Sequence, residues 1–166
     1  YNQLFRGGLR IHTTIDSNLQ SLAEQARSVL PDTPQEFDAS IVSLDSTSGA
    51  VRVMVGGRGF VPTEREVNMA LRPRQTGSSI KLFILAAAVQ AGAQANDLLD
   101  GTKPCVLPNP GNEDEPFTIT DAVNGGVATL QLHTTKSINC AFARLSQIVG
   151  LNRVVDTTYR MARSTY

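Results

Sequence analysis

Residues 75–92 read QTGSSIKLFILAAAVQAG. From Ile80 to Val89 only Lys81 interrupts a run of Ile, Leu, Phe, Ala and Val, which predicts a buried helix ending near Gly92. Ser78 and Lys81 stand three apart at its start, so they share one helix face with Cβ atoms about 5–6 Å apart. Ser79, two residues from Lys81, points to another face. A serine hydroxyl is a weak nucleophile until a base removes its proton. Lysine is ordinarily charged, but Leu82, Phe83, Ile84 and Leu85 make an apolar setting that disfavours the ammonium. The helix N-terminus favours negative charge developing at Ser78. The pattern fits a nucleophile, Ser78, with a general base, Lys81. It also fits a helix cap at Ser78 with a lysine reaching out to water, and Ser-x-x-Lys arises by chance about once in every couple of domains.

Downstream, Ile138, Phe142, Leu145 and Val149 form one apolar helical stripe, with Gly150 placed as its C-terminal cap. Ser137-Ile138-Asn139 opens that helix. A second hydroxyl near the lysine can relay a proton to a leaving amine, and an asparagine can hold a substrate amide by donating and accepting together. Ser137 equally fits an N-cap. Leu151, Val154 and Val155 start another helix. Residues 100–126 are dense in Gly, Pro and Asn and read as an extended loop.

Upstream, Ser40 to Asp45 and Ala50 to Gly56 are two β runs joined by Ser46-Thr47-Ser48-Gly49, a hairpin. Ile41, Val42 and Leu44 fill both faces of the first run, which predicts cover on both sides. Gly56-Gly57-Arg58-Gly59 reads as a flexible strand exit. Leu9 to Asp16 alternates apolar and polar residues and reads as a strand. Asp16 or Ser17 caps a helix with Leu19, Leu22, Ala23 and Ala26 on its apolar face, stopped near Leu30 by Pro31. Three strands alone leave an unpaired edge, so the order strand–helix–hairpin–helix–loop–helices suggests part of a larger α/β fold.

Composition narrows the chemistry. The 166 residues carry 15 Lys+Arg against 15 Asp+Glu, and zero net charge argues against nucleic acid as a partner. At 41% hydrophobic residues the chain has material for a core. The charge-free stretch from Leu82 to Asn96 is too short to span a bilayer, and no basic-then-apolar leader opens the sequence. Two cysteines, Cys105 and Cys140, are too few for a zinc site and fit either free core thiols or one bridge. His12 and His133 form no serine-histidine-carboxylate spacing and read as structural. No metal site and no cofactor are expected.

Ser-x-x-Lys paired with a Ser-x-Asn triplet is the combination found in penicillin-binding proteins and serine β-lactamases. The wider sequence sharpens the likeness. LRIHTTID (9–16) with Gln20 in the helix beyond it, SIVSLDSTSGAVRVMVGGRGF (40–60), NMALRPRQTGSSIKLFILAAAVQAG (68–92) and VNGGVATLQLHTTKSINCAFARL (123–145) resemble the transpeptidase domain of class A, bifunctional penicillin-binding proteins. The resemblance covers nearly the whole chain. It implies an α/β fold of the α+β type, the β-lactamase/transpeptidase-like fold, with an antiparallel sheet flanked by helices. Residues 1–166 would form the N-terminal part of one such domain, incomplete in this chain.

By the same resemblance Ser78 is the acylated nucleophile and Lys81 its base. Ser137 relays the proton, Asn139 orients the lysine and binds the stem peptide, and the Ser78 N–H supplies half of the oxyanion hole. Thr76 and Leu82 stand where the family usually or often has proline, with only local backbone effects expected. Lys-Thr-Gly, which supplies the other oxyanion N–H in the family, occurs nowhere in the 166 residues. The family's glycosyltransferase domain and membrane anchor are also outside this sequence. The implied activity is a D,D-transpeptidase that cross-links peptidoglycan through D-Ala-D-Ala stem peptides and is acylated by β-lactams. A D,D-carboxypeptidase or β-lactamase-type hydrolase and a non-turnover β-lactam sensor are the alternatives. The implied location is the extracytoplasmic face of the bacterial cytoplasmic membrane, where disulfides persist, so a Cys105–Cys140 bridge is admissible beside the reading of two free thiols. The remainder of the domain, as a second polypeptide if the chain is divided, is the expected partner.

Overall fold

The computed structural model describes residues 7–31, 37–109, 112, 114–120 and 123–162. The expected domain span of 1–166 includes terminal residues outside these. The chain divides into two units, Tyr1–Arg74 and Gln75–Tyr166.

In the first unit, helix α1 (Ser17–Ser28) begins at Asp16, whose Oδ1 accepts from the N–H groups of Asn18 and Leu19 at 2.9 and 3.0 Å. This satisfies donors that the helix cannot pair internally. Strands β1 (Ile41–Leu44) and β2 (Val51–Val55) pair antiparallel, with Ile41 opposite Val55 and a register shift between Ser43 and Leu44. Their loop closes on Asp45, which accepts from Thr47 N at 3.0 Å and Ser48 N at 2.9 Å, and Gly49 takes φ +71°. That φ lies in the left-handed region, where glycine carries no Cβ penalty.

On the other edge of β2, the Gln20 amide copies a strand. Its Nε2 donates to Met54 O at 3.2 Å, and its Oε1 accepts from Met54 N at 2.9 Å. Leu9 to Asp16 is therefore not the strand its alternation suggests. Only its end touches β2, through Asp16 N–H to Arg52 O at 2.9 Å and Thr14 Oγ1 to Val51 O at 2.6 Å. Gln20 occupies the Met54 position, so little ladder is left to join.

Two further expectations for this unit fail. β1 is not covered on both sides: Val42 and Leu44 are exposed, while burial falls on Val53 and Val55 of β2. The glycine run after β2 is not a loose exit either. A Cβ on Gly56 would stand 2.5 Å from Asn68 Oδ1, one on Gly57 would stand 2.7 Å from Asp38 Oδ2, and Met69 N–H donates to Gly56 O at 2.9 Å. Asp38 anchors this region, accepting from Arg27 at 2.7 Å and from the Arg58 N–H at 2.9 Å. Burial pushes the Asp38 carboxyl up, but the Arg58 N–H, the Arg27 guanidinium and the Ala39 N–H outweigh it and hold the group below the ordinary carboxylate range.

The second unit starts with a 3₁₀ turn (Gly77–Ser79) that runs into helix α2 (Ile80–Gln90), closed near Gly92 at φ +102°. Residues 100–126, expected as one loop, contain short strands. β3 (Leu98–Asp100) pairs antiparallel with β6 (Val127–Thr129), and β4 (Cys105–Leu107) pairs antiparallel with β5 (Phe117–Ile119). Residues 110, 111, 113, 121 and 122 of that stretch lie outside the described ones. At three residues each, these strands are too short for alternation to reveal.

Helices α3 (Leu130–Lys136), α4 (Asn139–Val149) and α5 (Leu151–Ala162) follow. The core joins Ile84, Ala87 and Ala88 of α2 to Leu130, Phe142, Leu145 and Val154. Ala87 and Ala88 are fully excluded from solvent, and their small side chains let α4 and α5 approach α2 closely. Open antiparallel strand pairs flanked by helices make this a mixed α/β fold.

Candidate active site

Sequence spacing puts Ser78 and Lys81 on one face, and the structure keeps them there. Ser78 lies exposed in the 3₁₀ turn, and Lys81 is half-buried in the first turn of α2. The residues that answer Lys81 come from the junction of α3 and α4. Ser137 ends α3 at φ 53°, ψ 45°, a left-handed residue that is not glycine. Such a conformation costs a serine about 1–2 kcal/mol and persists only where the surroundings impose it. It lets the helix close through Ser137 N–H to Thr134 O at 3.1 Å and Ile138 N–H to His133 O at 3.1 Å. Ser137 is thus the C-cap of α3 and not the N-cap of α4, which is Ile138.

At this turn three oxygens converge on one ammonium. Lys81 Nζ donates to Ser137 O at 2.6 Å, to Ser137 Oγ at 3.0 Å and to Asn139 Oδ1. Such oxygens suit the N–H donors of a charged lysine. Ser137 Oγ in turn donates to Ser78 Oγ at 3.3 Å, so a continuous hydrogen-bonded path runs from Lys81 through Ser137 to Ser78. All four residues singled out from the sequence meet here. Ser78, Lys81 and Asn139 border an open groove with Gly77 and Phe142.

Two contributors escape the sequence reading. The first is Phe142, buried at 2% exposure, whose ring centroid is 5.7 Å from Lys81 Nζ. Its π face adds a cation–π attraction. The helical stripe contained the signal, since Phe142 is three residues after Asn139 and shares its face. The second is the Ser137 carbonyl, which no motif announces because only the left-handed backbone aims it at Lys81.

The cysteines are bridged: Cys105 and Cys140 have Cα atoms 5.7 Å apart, and both are fully excluded from solvent. The bond ties β4 to the first turn of α4, beside Asn139. His133 is buried, with Nε2 2.8 Å from Leu99 O. Its ring and Ile138 fill the space over Gly101 and Gly125, where an added Cβ would stand 2.6–2.7 Å from them. His12 lies exposed in the other unit. Near His133, Arg144 Nη1 donates to Asp100 O at 2.8 Å and Thr102 O at 2.9 Å. The Asp100 carboxyl is held low by the Thr102 hydroxyl and N–H, with help from Arg144. Among the described residues no His, Cys, Asp and Glu cluster fits a metal ion, and no helix is long and apolar enough to cross a membrane.

Comparisons with known proteins give the family of the chain. Penicillin-binding protein 1A of Neisseria cinerea is 34% identical over 118 residues, which are 69% of this chain and 14% of that protein. The Aquifex aeolicus protein of the same name is 31% identical over 130 residues, 77% of this chain and 17% of its own length. The solved structure of penicillin-binding protein PonA1 from Mycobacterium tuberculosis superposes with a TM-score of 0.75 at 28% identity, covering 96% of this chain and 39% of that one. PonA1 has also been solved in complex with penicillin V. The chain thus spans a small part of these relatives. Residues 39–162 match the penicillin binding protein transpeptidase domain, and the chain belongs to that family as a homologue of its class A members.

Proposed function

We propose that this chain supplies the nucleophile, base and second motif of a serine D,D-transpeptidase of peptidoglycan synthesis. The observation that carries the reading is the hydrogen-bonded path from Lys81 Nζ through Ser137 Oγ to Ser78 Oγ.

Ser78 Oγ attacks the carbonyl of the penultimate D-Ala of a stem peptide, and its proton passes to Lys81. For this Lys81 works as the neutral amine. Its two N–H groups then serve Ser137 O and Asn139 Oδ1, and its lone pair is left for the incoming proton. The Ser78 N–H, at the start of the helical turn, faces the developing oxyanion. Ser137, bonded to both other groups, returns the proton to the leaving D-Ala amine. An amine of a neighbouring stem then takes the acyl group and frees Ser78. Asn139 has two tasks: its oxygen holds Lys81, and its amide supplies donors to the stem peptide.

A β-lactam opens on the same serine and stays attached. The second oxyanion donor comes from Lys-Thr-Gly on a strand outside this sequence, contributed by the remainder of the domain. The protein works on the extracytoplasmic face of the membrane, as a membrane-anchored member of its family.

The test is covalent labelling of the protein that carries this domain. A fluorescent penicillin is expected to modify Ser78, located by peptide mass, and Ser78→Ala is expected to remove the label. Undiminished labelling of Ser78→Ala would refute the assignment. Stem-peptide donor with an amine acceptor should give the cross-linked product in preference to the hydrolysed one.

A further inference from the structure

We propose that the Cys105–Cys140 bridge is a positioning element for the acceptors of Lys81, beyond any contribution to stability. The proposal rests on the acylation reading above.

The acceptors of Lys81 Nζ described above, Ser137 O, Ser137 Oγ and Asn139 Oδ1, all belong to the segment Ser137 to Asn139. Backbone bonds from Ser137 N–H to Thr134 O and from Ile138 N–H to His133 O close the turn on the α3 side, but the α4 side is less well held. Ser137 is left-handed without being glycine, and Ile138 caps α4 with no side-chain hydrogen bond. The uncapped first turn of a helix leaves N–H groups unpaired internally and is where fraying begins. Contacts from outside the turn add to these bonds.

Two features do so from different directions. Ile138, 1% exposed, is wedged over Gly101 and Gly125 beside the His133 ring, whose Nε2 meets Leu99 O at 2.8 Å. This blocks movement of the turn toward β3. The bridge attaches the residue directly after Asn139 to β4, which is itself paired with β5 from Cys105 opposite Ile119 to Leu107 opposite Phe117. A covalent tie at that place limits rotation of the first turn of α4, and with it the distance from Asn139 Oδ1 and Ser137 Oγ to Lys81. A 1 Å misplacement of a group acting on a reacting centre can cost about 100-fold in rate. Both sulfurs are solvent-excluded, so the bridge acts as a fixed brace and not as a readily opened switch.

The experiment compares the parent protein with C105A/C140A and with C105A/C140V, the second retaining more of the buried volume. Penicillin acylation is separated into pre-covalent binding and the chemical step, well below the melting transition of each variant. The expected result is a chemical step slower by about 10–100-fold in both variants, with pre-covalent binding little changed. A chemical step at the parent rate in either folded variant, accompanied only by a lower melting temperature, would overturn the proposal. Failure of both variants to fold would also overturn it, because the bridge would then be a staple of the fold. A parent protein that is not acylated at Ser78 would instead defeat the functional reading, and the unmodified protein alone reveals it.

Discussion

The two units hold themselves together by different means. The second has a packed core running from Ile84, Ala87 and Ala88 to Leu130, Phe142, Leu145 and Val154, and a buried disulfide. The first buries Val53 and Val55 among its large apolar side chains and otherwise depends on polar groups that stand in for secondary structure. Asp16 caps α1, Gln20 pairs with the edge of β2, Asp38 fastens the glycine turn and Asp45 closes the hairpin. The four candidate site residues sit in the unit with the core. A site that needs Lys81 held against three oxygens from a distant turn requires helices that do not shift, and close packing supplies that better than exposed hydrogen bonds do. Substitutions in the second unit should therefore register in rate and in packing. Those in the first should register in local helix stability and in pH.

The largest effect is expected at Lys81. Lys81→Ala removes the proposed base and its hydrogen bonds to Ser137 and Asn139, so acylation should slow by about 10²–10⁴-fold, with more loss if base and nucleophile act as a unit. Stopped-flow mixing with a chromogenic cephalosporin measures it, with circular dichroism to confirm the fold. A rate within a few-fold of the parent's would remove Lys81 from the mechanism and with it the contrast drawn above.

Next is Gly101→Ala. The new Cβ would meet His133 Cε1 at 2.6 Å and Ile138 Cγ2 at 3.0 Å, and Gly101 N–H is bonded to Gly126 O at 2.7 Å, so the backbone has little room to yield. Overpacking of this kind costs about 1–3 kcal/mol. Denaturant unfolding gives the loss, and faster amide exchange in α3 would place it. An unchanged midpoint would mean that the wedge over Gly101 is soft.

These positions also show what the sequence makes legible. Ser78 with Lys81 can be read because a spacing of three translates directly into a shared helix face, whereas Ser137 with Asn139 is legible only as a triplet, since Ser137 ends α3 and Asn139 begins α4. The stripe Ile138, Phe142, Leu145 and Val149 does lie along α4, and Gly150 does end it, at φ +96°. The hairpin at Ser46 to Gly49 is equally local. Other features depend on tertiary context. The left-handed Ser137 carries no glycine to announce it. α3 is seven residues long, and the strands between Leu98 and Thr129 have three each, so neither offers enough periods to read. Leu9 to Asp16 has a strand's alternation but no ladder to join, because a side chain from α1 takes the place. The Cys105–Cys140 pairing spans a sequence separation of 35 and has no local pattern.

A smaller effect is expected at the start of α1. Asp16→Ala deprives Asn18 and Leu19 of their acceptor and should cost about 1 kcal/mol, whereas Asp16→Asn, which keeps an oxygen, should cost less. The test is the denaturant midpoint, with amide exchange over Ser17 to Gln20 as the local readout. Equal losses for the two variants would show that charge, and not the cap oxygen, is what matters there.

The smallest effect is a pH dependence at Asp45. The Ser48 N–H and hydroxyl, then Arg52 and the Thr47 N–H, bond its carboxylate and lower its pKa from 3.8 to about 2. The unfolded chain binds this proton at the higher value, so in acid the unfolded state takes up protons first. The stabilisation is then fully present above about pH 4 and is lost as the pH falls through the folded value of about 2. The Asp45 side chain keeps 31% of its surface in solvent, so salt and water screen the contribution and it should be modest. Asp38 and Asp100 are also held low and push in the same direction. The measurement is therefore a difference: melting temperature against pH for the parent and for Asp45→Asn. The parent curve should fall more steeply between pH 4 and 2 than the variant's, and the gap should narrow in high salt. Parallel curves would mean that the hairpin loop is held by its backbone bonds, Gly49 N–H to Asp45 O and Asp45 N–H to Ala50 O, both 2.8 Å. The first unit would then depend less on charged side chains than its geometry suggests.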